Sequence, residues 1–141
     1  MIAFALFPEL LAALHASEES FRAAENEVDS PELRARFRDW IDERRAFSAS
    51  LLALAPLINA SRNPPCAIRG GEGRKTEDPL EGDTATLLYC RRAELAAIDA
   101  YERFLRQPSL GDDVILQVHA QYLKVRSAYD ELAASTPALL L

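Results

Sequence analysis

The sequence predicts an all-α protein built as a single four-helix bundle. Apolar side chains recur at alternating steps of three and four residues in four long segments, which is the spacing of one helical face. The 141 residues include only five glycines, and the three connections between the segments are short, long and short. We therefore predict one domain over residues 1–141, with helices at about 3–28, 31–58, 81–106 and 110–134 and a loop at 59–80.

The first two segments form a predicted antiparallel hairpin. The first ends at Asp29, and Ser30 is suited to cap the second through its side-chain oxygen. Pro31 suits the first helical position, where no backbone N–H is needed. Two helices joined by so short a turn must pack antiparallel, and Pro56 predicts a kink or an end in the last turn of the second. The predicted inner stripe of the first helix consists of Phe7, Leu11, Leu14, Glu18, Phe21, Glu25 and Val28.

Residues 59–80 lack periodicity and contain several prolines and glycines, which predicts a long loop. A helix of about 25 residues is about 37 Å long, whereas a loop of about 22 residues reaches about 70 Å when extended. The loop can therefore return the chain along the whole bundle, so that helices 2 and 3 run parallel around one long crossover. A simple up-and-down bundle is the alternative. The turn from Ser109 to Asp113 then joins a second antiparallel hairpin.

Each of the four apolar stripes has a polar residue within about one turn of its helix centre. If the helices pack as one bundle, these side chains meet in one layer. Buried charge is costly unless it is paired, so a metal, a ligand or a closed ion-pair network must hold this layer. The predicted members of the central polar layer are Glu18, Arg44, Glu94 and Gln121, together with Arg91.

A di-iron site in a four-helix bundle needs one Glu from each of two helices and a Glu-x-x-His pair from each of the others. Glu18 and Glu94 fit the single carboxylates, but His15 and His119 do not follow an acidic residue by three positions. Arg44 supplies the positive charge that a metal would otherwise bring. We therefore expect a salt-bridge network without metal. The alternatives are side chains turned to water and a metal site of His15, Glu18, Glu94 and His119.

Composition narrows the classes of partner and the cellular compartment. The net charge of -6 and the pI of about 4.9 disfavour nucleic acid and acidic membrane surfaces. Cys66 and Cys90 form no CxxC pair, so we expect reduced thiols in a cytoplasmic protein. The apolar N-terminus lacks the basic region of a signal peptide, and no apolar run approaches the ~20 residues of a membrane span. We expect no catalytic residue and no cofactor.

Both ends of the chain are apolar, which favours self-association because burial of apolar surface is worth about 25 cal/mol per Å². These ends contain Ile2, Phe4 and Leu6 at the start and Leu139 to Leu141 at the finish. We expect a two-fold homodimer, the commonest soluble oligomer, and the sequence indicates no other particular protein partner. The alternative is that both ends fold back on their own bundle or fray.

Three stretches of the chain carry a family resemblance: EESFRAAENEVDSPELRARF with ERRAF, LLYCRRAELAAIDAYERFL, and VHAQYLKVRSAYDEL. They resemble, in order, the first hairpin, the third helix and the fourth helix of short bacterial ferritin-like proteins of unknown function. The resemblance covers residues 6–133 apart from the loop at 59–80. It implies a ferritin-like bundle with the long crossover and no activity.

The resemblance and the missing histidine motif together predict a ferritin-like bundle with a degenerate metal site. We expect a non-enzymatic interaction or stress-associated protein. The alternative is a divergent di-metal carboxylate protein that handles iron or acts as an oxidase.

Overall fold

The computed structural model describes the backbone of residues 2–58, 82–108 and 110–135, and side chains within 6–58, 85–108 and 110–134. The described chain is all-helical, as predicted, and each helix bound lies within two residues of its predicted position. The predicted loop at 59–80 lies outside the described residues. The four helices are α1 (Ile2–Glu27), α2 (Pro31–Ile58), α3 (Gly82–Leu105) and α4 (Asp112–Ser135).

The turn between α1 and α2 is fixed from both sides by hydrogen bonds. The Leu33 N–H donates to Ser30 Oγ at 3.2 Å, which is the capping bond predicted from the sequence. Pro31 occupies the first position of α2. On the other side of the turn, Arg34 Nη2 donates to the Val28 carbonyl at 3.2 Å. The local sequence therefore both ends α1 and starts α2.

α2 continues past Pro56 and ends at Ile58, so the proline lies inside the last turn of the helix. A proline so close to the C-terminus removes one backbone donor near the place where the helix ends in any case. The helix therefore ends at Ile58, the bound predicted from the sequence.

Neighbouring helices run antiparallel. α1 packs against α2 and α3, and α4 packs against α3 and less closely against α2. In each pair, a higher residue number on one helix meets a lower number on the other. The contacts that define the directions are Glu25–Arg38 and Glu18–Arg45 (α1–α2), Glu9–Arg103 and Ser17–Glu94 (α1–α3), Tyr101–Gln121 and Arg91–Tyr129 (α3–α4), and Arg36–Glu131 and Phe47–Gln121 (α2–α4).

The buried apolar side chains form two clusters, one toward each end of the bundle. One contains Phe7, Leu51 and Phe104. The other is built around Phe21 and Trp40, whose ring centroids are 5.1 Å apart. Along α1, α2 and α3, buried polar residues separate the two clusters, which defines a polar level near the middle of the bundle.

The inner face of α1 differs from the predicted stripe. Glu18 and Glu25 lie at its edge, where they pair with arginines of α2, and Leu11 is half-buried. One residue corresponds to about 100° of rotation, and the observed stripe contains Leu10, Ser17 and Ala24, the residues that directly precede Leu11, Glu18 and Glu25. The buried residues of α1 and the turn that follows it are Phe7, Leu10, Leu14, Ser17, Ser20, Phe21, Ala24 and Val28.

Among the described residues, none of the helices combines the length and the apolar character needed to cross a lipid bilayer.

Candidate functional site

Arg44 and Glu94 form an ion pair at the polar level of the bundle, and both side chains are 0% exposed. Arg44 Nη2 donates to Glu94 Oε2. The Ser17 hydroxyl donates to Glu94 Oε1 at 2.5 Å and accepts a hydrogen bond from Arg44 Nε at 3.2 Å. Three helices thus contribute to one closed ring of hydrogen bonds, in which both carboxylate oxygens have a donor.

Glu43 extends the ring toward solvent. Arg44 Nη1 donates to Glu43 Oε1 at 2.7 Å, and the Glu43 side chain is 28% exposed. The guanidinium also lies 5.4 Å from the ring centroid of Phe21 and 5.6 Å from that of Phe47, within the range of cation–π attraction. Ser17, Glu43, Arg44 and Glu94 are called the Arg44 network below. It contains two carboxylates and a single guanidinium, and only Glu43 is partly hydrated.

Burial raises the pKa of the Glu94 carboxyl above its ordinary value. The loss of water around the carboxylate outweighs the attraction of Arg44 and the hydrogen bonds from Arg44 and Ser17, which act in the opposite direction. The nearby charge of Glu43 adds to the rise. The pair is therefore held by good geometry against a desolvation cost, as is usual for buried ions.

Gln121 and Tyr101 form a second, neutral hydrogen-bonded chain. The Tyr101 hydroxyl donates to Gln121 Oε1 at 2.7 Å, and Gln121 Nε2 donates to the Phe47 carbonyl at 3.5 Å. Burial raises the pKa of Tyr101, so its hydroxyl keeps its proton. The chain joins α3, α4 and α2, and no direct hydrogen bond links it to the Arg44 network among the described residues.

Two further predicted members of the layer, Glu18 and Arg91, lie outside the Arg44 network, as Gln121 does. Glu18 contacts Arg22 of its own helix and Arg45 of α2, the latter at 3.7 Å. Arg91 lies with its guanidinium carbon 5.8 Å from the ring centroid of Tyr129, and its buried Nε has no hydrogen-bond partner within the described part of the chain. Neither side chain forms an ion pair or hydrogen bond with Glu94 in the described part of the chain, so these two residues do not join the predicted ion-pair network.

The residues of the alternative metal site are not brought together. His15 has a 59% exposed side chain and lies 4.0 Å from Glu19. His119 is exposed, with its ring centroid 5.8 Å from that of Tyr122, whereas Glu94 is fully buried. In residues 2–58, 82–108 and 110–135, no three His, Cys, Asp or Glu side chains are grouped so that they could hold a metal ion.

The sequence interpretation missed Ser17, Glu43 and Tyr101. Ser17 had a readable signal, because it follows Leu14 by three residues and precedes Phe21 by four, which is the spacing of the buried stripe. Tyr101 also follows the stripe of its helix, but periodicity does not distinguish a hydrogen-bonded tyrosine from a purely apolar one. Glu43 gives no signal of this kind.

Cys90 is a buried thiol whose surroundings disfavour the thiolate form. Burial raises its pKa to about 12, and its Sγ donates to the Ser20 carbonyl at 3.4 Å. A thiol needs a lowered pKa and access to solvent to react at neutral pH. The expectation of a reduced Cys90 agrees with this environment, whereas Cys66 lies outside the described residues.

Comparison with known protein families finds no family model that matches this chain, and no curated protein is significantly similar to it.

Proposed function

We propose that this chain is a non-enzymatic, ferritin-like helical bundle that acts in the cytoplasm through interactions with other proteins, in an interaction or stress-associated role. In this proposal its metal site is degenerate, with an ion pair in place of the metal. The observation that carries the proposal is the fully buried pair of Arg44 and Glu94, closed by Ser17. A guanidinium bonded to the fully buried Glu94 carboxylate already provides the positive charge that the layer needs.

The directions of the helices support the ferritin-like part of the proposal. α2 and α3 both have contacts of antiparallel direction with α1. Two helices that are antiparallel to the same third helix run in one direction. Parallel second and third helices are the arrangement of ferritin-like bundles that have one long crossover.

The electrostatics of the site support a structural role for the ion pair. A bare buried carboxylate would favour either a cation or a proton. Glu94 instead has a guanidinium on one oxygen and a hydroxyl on the other. A divalent metal would have to displace Arg44 from Glu94 and leave a second positive charge close by, which is unfavourable at such short range.

Metal analysis of the purified full-length protein tests the proposal. The protein is prepared without chelator, exposed anaerobically to Fe(II), Mn(II) and Zn(II) in separate samples, desalted and measured by mass spectrometry of the elements. We expect well below one metal per chain, and no oxidation of Fe(II) by oxygen faster than in buffer. One or more metals per chain, lost in Glu94→Gln but kept in the surface control Glu131→Gln, would favour the di-metal carboxylate alternative.

The interaction role has its own test, in native host extract. Photo-crosslinking probes are placed at exposed positions of each helix in turn, for example at Glu32 on α2 and at Leu95 on α3. A specific partner should crosslink from probes on one surface and not from the others. Uniform weak crosslinking from every position, or none, would contradict the proposal.

A further inference from the structure

The outward face of α4 carries an apolar stripe that no described residue covers. Leu116 and Leu123 are 69% and 53% exposed. Together with Ala120 and Ser127 they recur at steps of four, three and four residues, so they lie on one helical face. This face is opposite the buried face of α4, which contains Val118 and other core residues. Leu116, Ala120, Leu123 and Ser127 are called the outer stripe below.

Charged side chains beside the outer stripe are separated along the helix. Asp112 and Asp113 lie in the first turn of α4. Lys124 and Arg126 lie in its second half, where Asp130 and Glu131 follow them toward the end of the helix. Asp112, Asp113, Lys124 and Arg126 make no salt bridge with a residue in the described part of the chain, and Arg126 instead donates to the Tyr122 hydroxyl at 3.1 Å. By contrast, the arginines that face α1, such as Arg38, are ion-paired.

We propose that the outer stripe is the interface of a two-fold dimer, in which α4 packs antiparallel against α4 of a second copy of this chain. The inference rests on the proposed interaction role and names a partner for it. An antiparallel arrangement is the one that brings the acidic start of each helix to Lys124 and Arg126 of the other. Such charge complementarity selects orientation and partner more than it adds affinity.

One register satisfies the apolar and the charged residues together. When the two-fold axis passes near His119, Leu116 lies opposite Leu123 of the partner subunit. Asp112 then lies opposite Arg126 of the partner subunit, and Asp113 lies close to Lys124 of the partner subunit. One residue turns the helix by about 100°, so Asp112 and Arg126 lie on one side of the outer stripe, and Asp113 and Lys124 lie on the other. The two-fold axis places each side of the stripe next to the same side of the partner helix, so the oppositely charged residues meet.

The small side chain of Ala120 lies next to the axis in this register. A small residue at the crossing point lets the axes of two helices approach each other closely, toward the lower end of the usual separation of about 8–10 Å. The leucines on either side of it are then covered by the partner helix, which removes the exposed apolar surface from water.

Light scattering and sedimentation equilibrium on the full chain over about 1 to 200 μM test the dimer, a range in which typical weak protein complexes dissociate. We expect a mass that rises with concentration from 15.6 kDa toward twice that value. Leu116→Glu should weaken association at least about tenfold, because a charge in an apolar interface is left unpaired in both copies. The matched control is Leu57→Glu, since Leu57 is 65% exposed on α2, and it should leave association unchanged.

A charge swap tests the register. Arg126→Asp alone should weaken association, and Asp112→Arg combined with Arg126→Asp should restore it. The two positions are about 21 Å apart along one helix at 1.5 Å per residue, so rescue reports contact between subunits. A constant monomer mass, equal effects of Leu116→Glu and Leu57→Glu, or failure of the swap to restore association would each overturn the proposal. Metal content measured on the same samples bears only on the proposed function, so the two failures are distinguishable.

Discussion

Arg44→Ala is predicted to be one of the most destabilising single changes in this protein. Arg44 and Glu94 are both 0% exposed and bonded to each other. Removal of the guanidinium leaves the Glu94 carboxylate with only the Ser17 hydroxyl as a partner, and leaves a cavity beside Phe21. Breaking a buried ion pair in this way costs about 3–5 kcal/mol, a large part of the 5–15 kcal/mol or so that stabilises a typical domain.

Companion variants separate charge from volume. Arg44→Met fills much of the same space without a charge, so it should be milder than Arg44→Ala. Arg44→Met combined with Glu94→Gln removes both charges, and its free energy of unfolding should lie within about 1.5 kcal/mol of wild type, because replacing a buried ion pair with neutral groups of similar size is often neutral or stabilising. The double variant should then be clearly more stable than Glu94→Gln alone, which leaves Arg44 with Glu43 as its only carboxylate.

The measurement is urea denaturation followed by far-UV circular dichroism, with the free energy of unfolding taken from the midpoint and slope. The control is Arg36→Ala. Arg36 pairs with Glu131 at 2.6 Å, and both side chains are over 40% exposed, so its loss should cost no more than about 1 kcal/mol. If Arg44→Ala lowers the free energy of unfolding no more than Arg36→Ala does, the reasoning about the buried network is wrong.

Three further predictions concern the surroundings of this pair. The pKa of Glu94 is raised in the folded protein, so the stability that the titration of Glu94 contributes is fully present below the unfolded pKa of 4.5 and is lost as pH rises through the folded pKa. Urea titrations at several pH values should show wild type losing stability relative to Glu94→Gln as pH rises. The opposite slope would contradict the raised pKa. Gln121→Leu leaves the buried Tyr101 hydroxyl without its acceptor and should lower the free energy of unfolding by about 1–3 kcal/mol. This loss should exceed that of Tyr101→Phe, which removes only the donor. Equal stability of Gln121→Leu and wild type would argue against the bond. In a Cys66→Ser background, Cys90 should react with a thiol reagent only as fast as the protein unfolds, because it is buried and burial raises its pKa to about 12. Fast labelling of the native protein would contradict this expectation and would show that the helices around Cys90 open locally.

Local sequence was enough to predict the helices. Ser30 and Pro31 start α2 through a cap and a preset backbone angle, and both act within a few residues of the chain. The alternation of apolar steps depends only on the helical repeat, so the segments could be found without knowledge of their neighbours. Arg44 could be predicted as buried for the same reason, since it lies in the middle of an apolar stripe.

The partners of Arg44 were decided by tertiary packing. Glu94 lies 50 residues from Arg44 along the chain. Ser17 contacts both of them because α1 packs against both α2 and α3 and presents one inner face to the two helices. Glu18, the next residue along, is about 100° away on the same helix and pairs with Arg45 at the edge of that face instead. The buried face of a helix is wide enough to include either Ser17 or Glu18, so the spacing of apolar residues in the sequence does not determine which of the two is buried. The packing of the assembled bundle decides, because the small Ser17 side chain fits between the helices and the larger Glu18 lies at the edge of the inner face, beside Arg22 and Arg45.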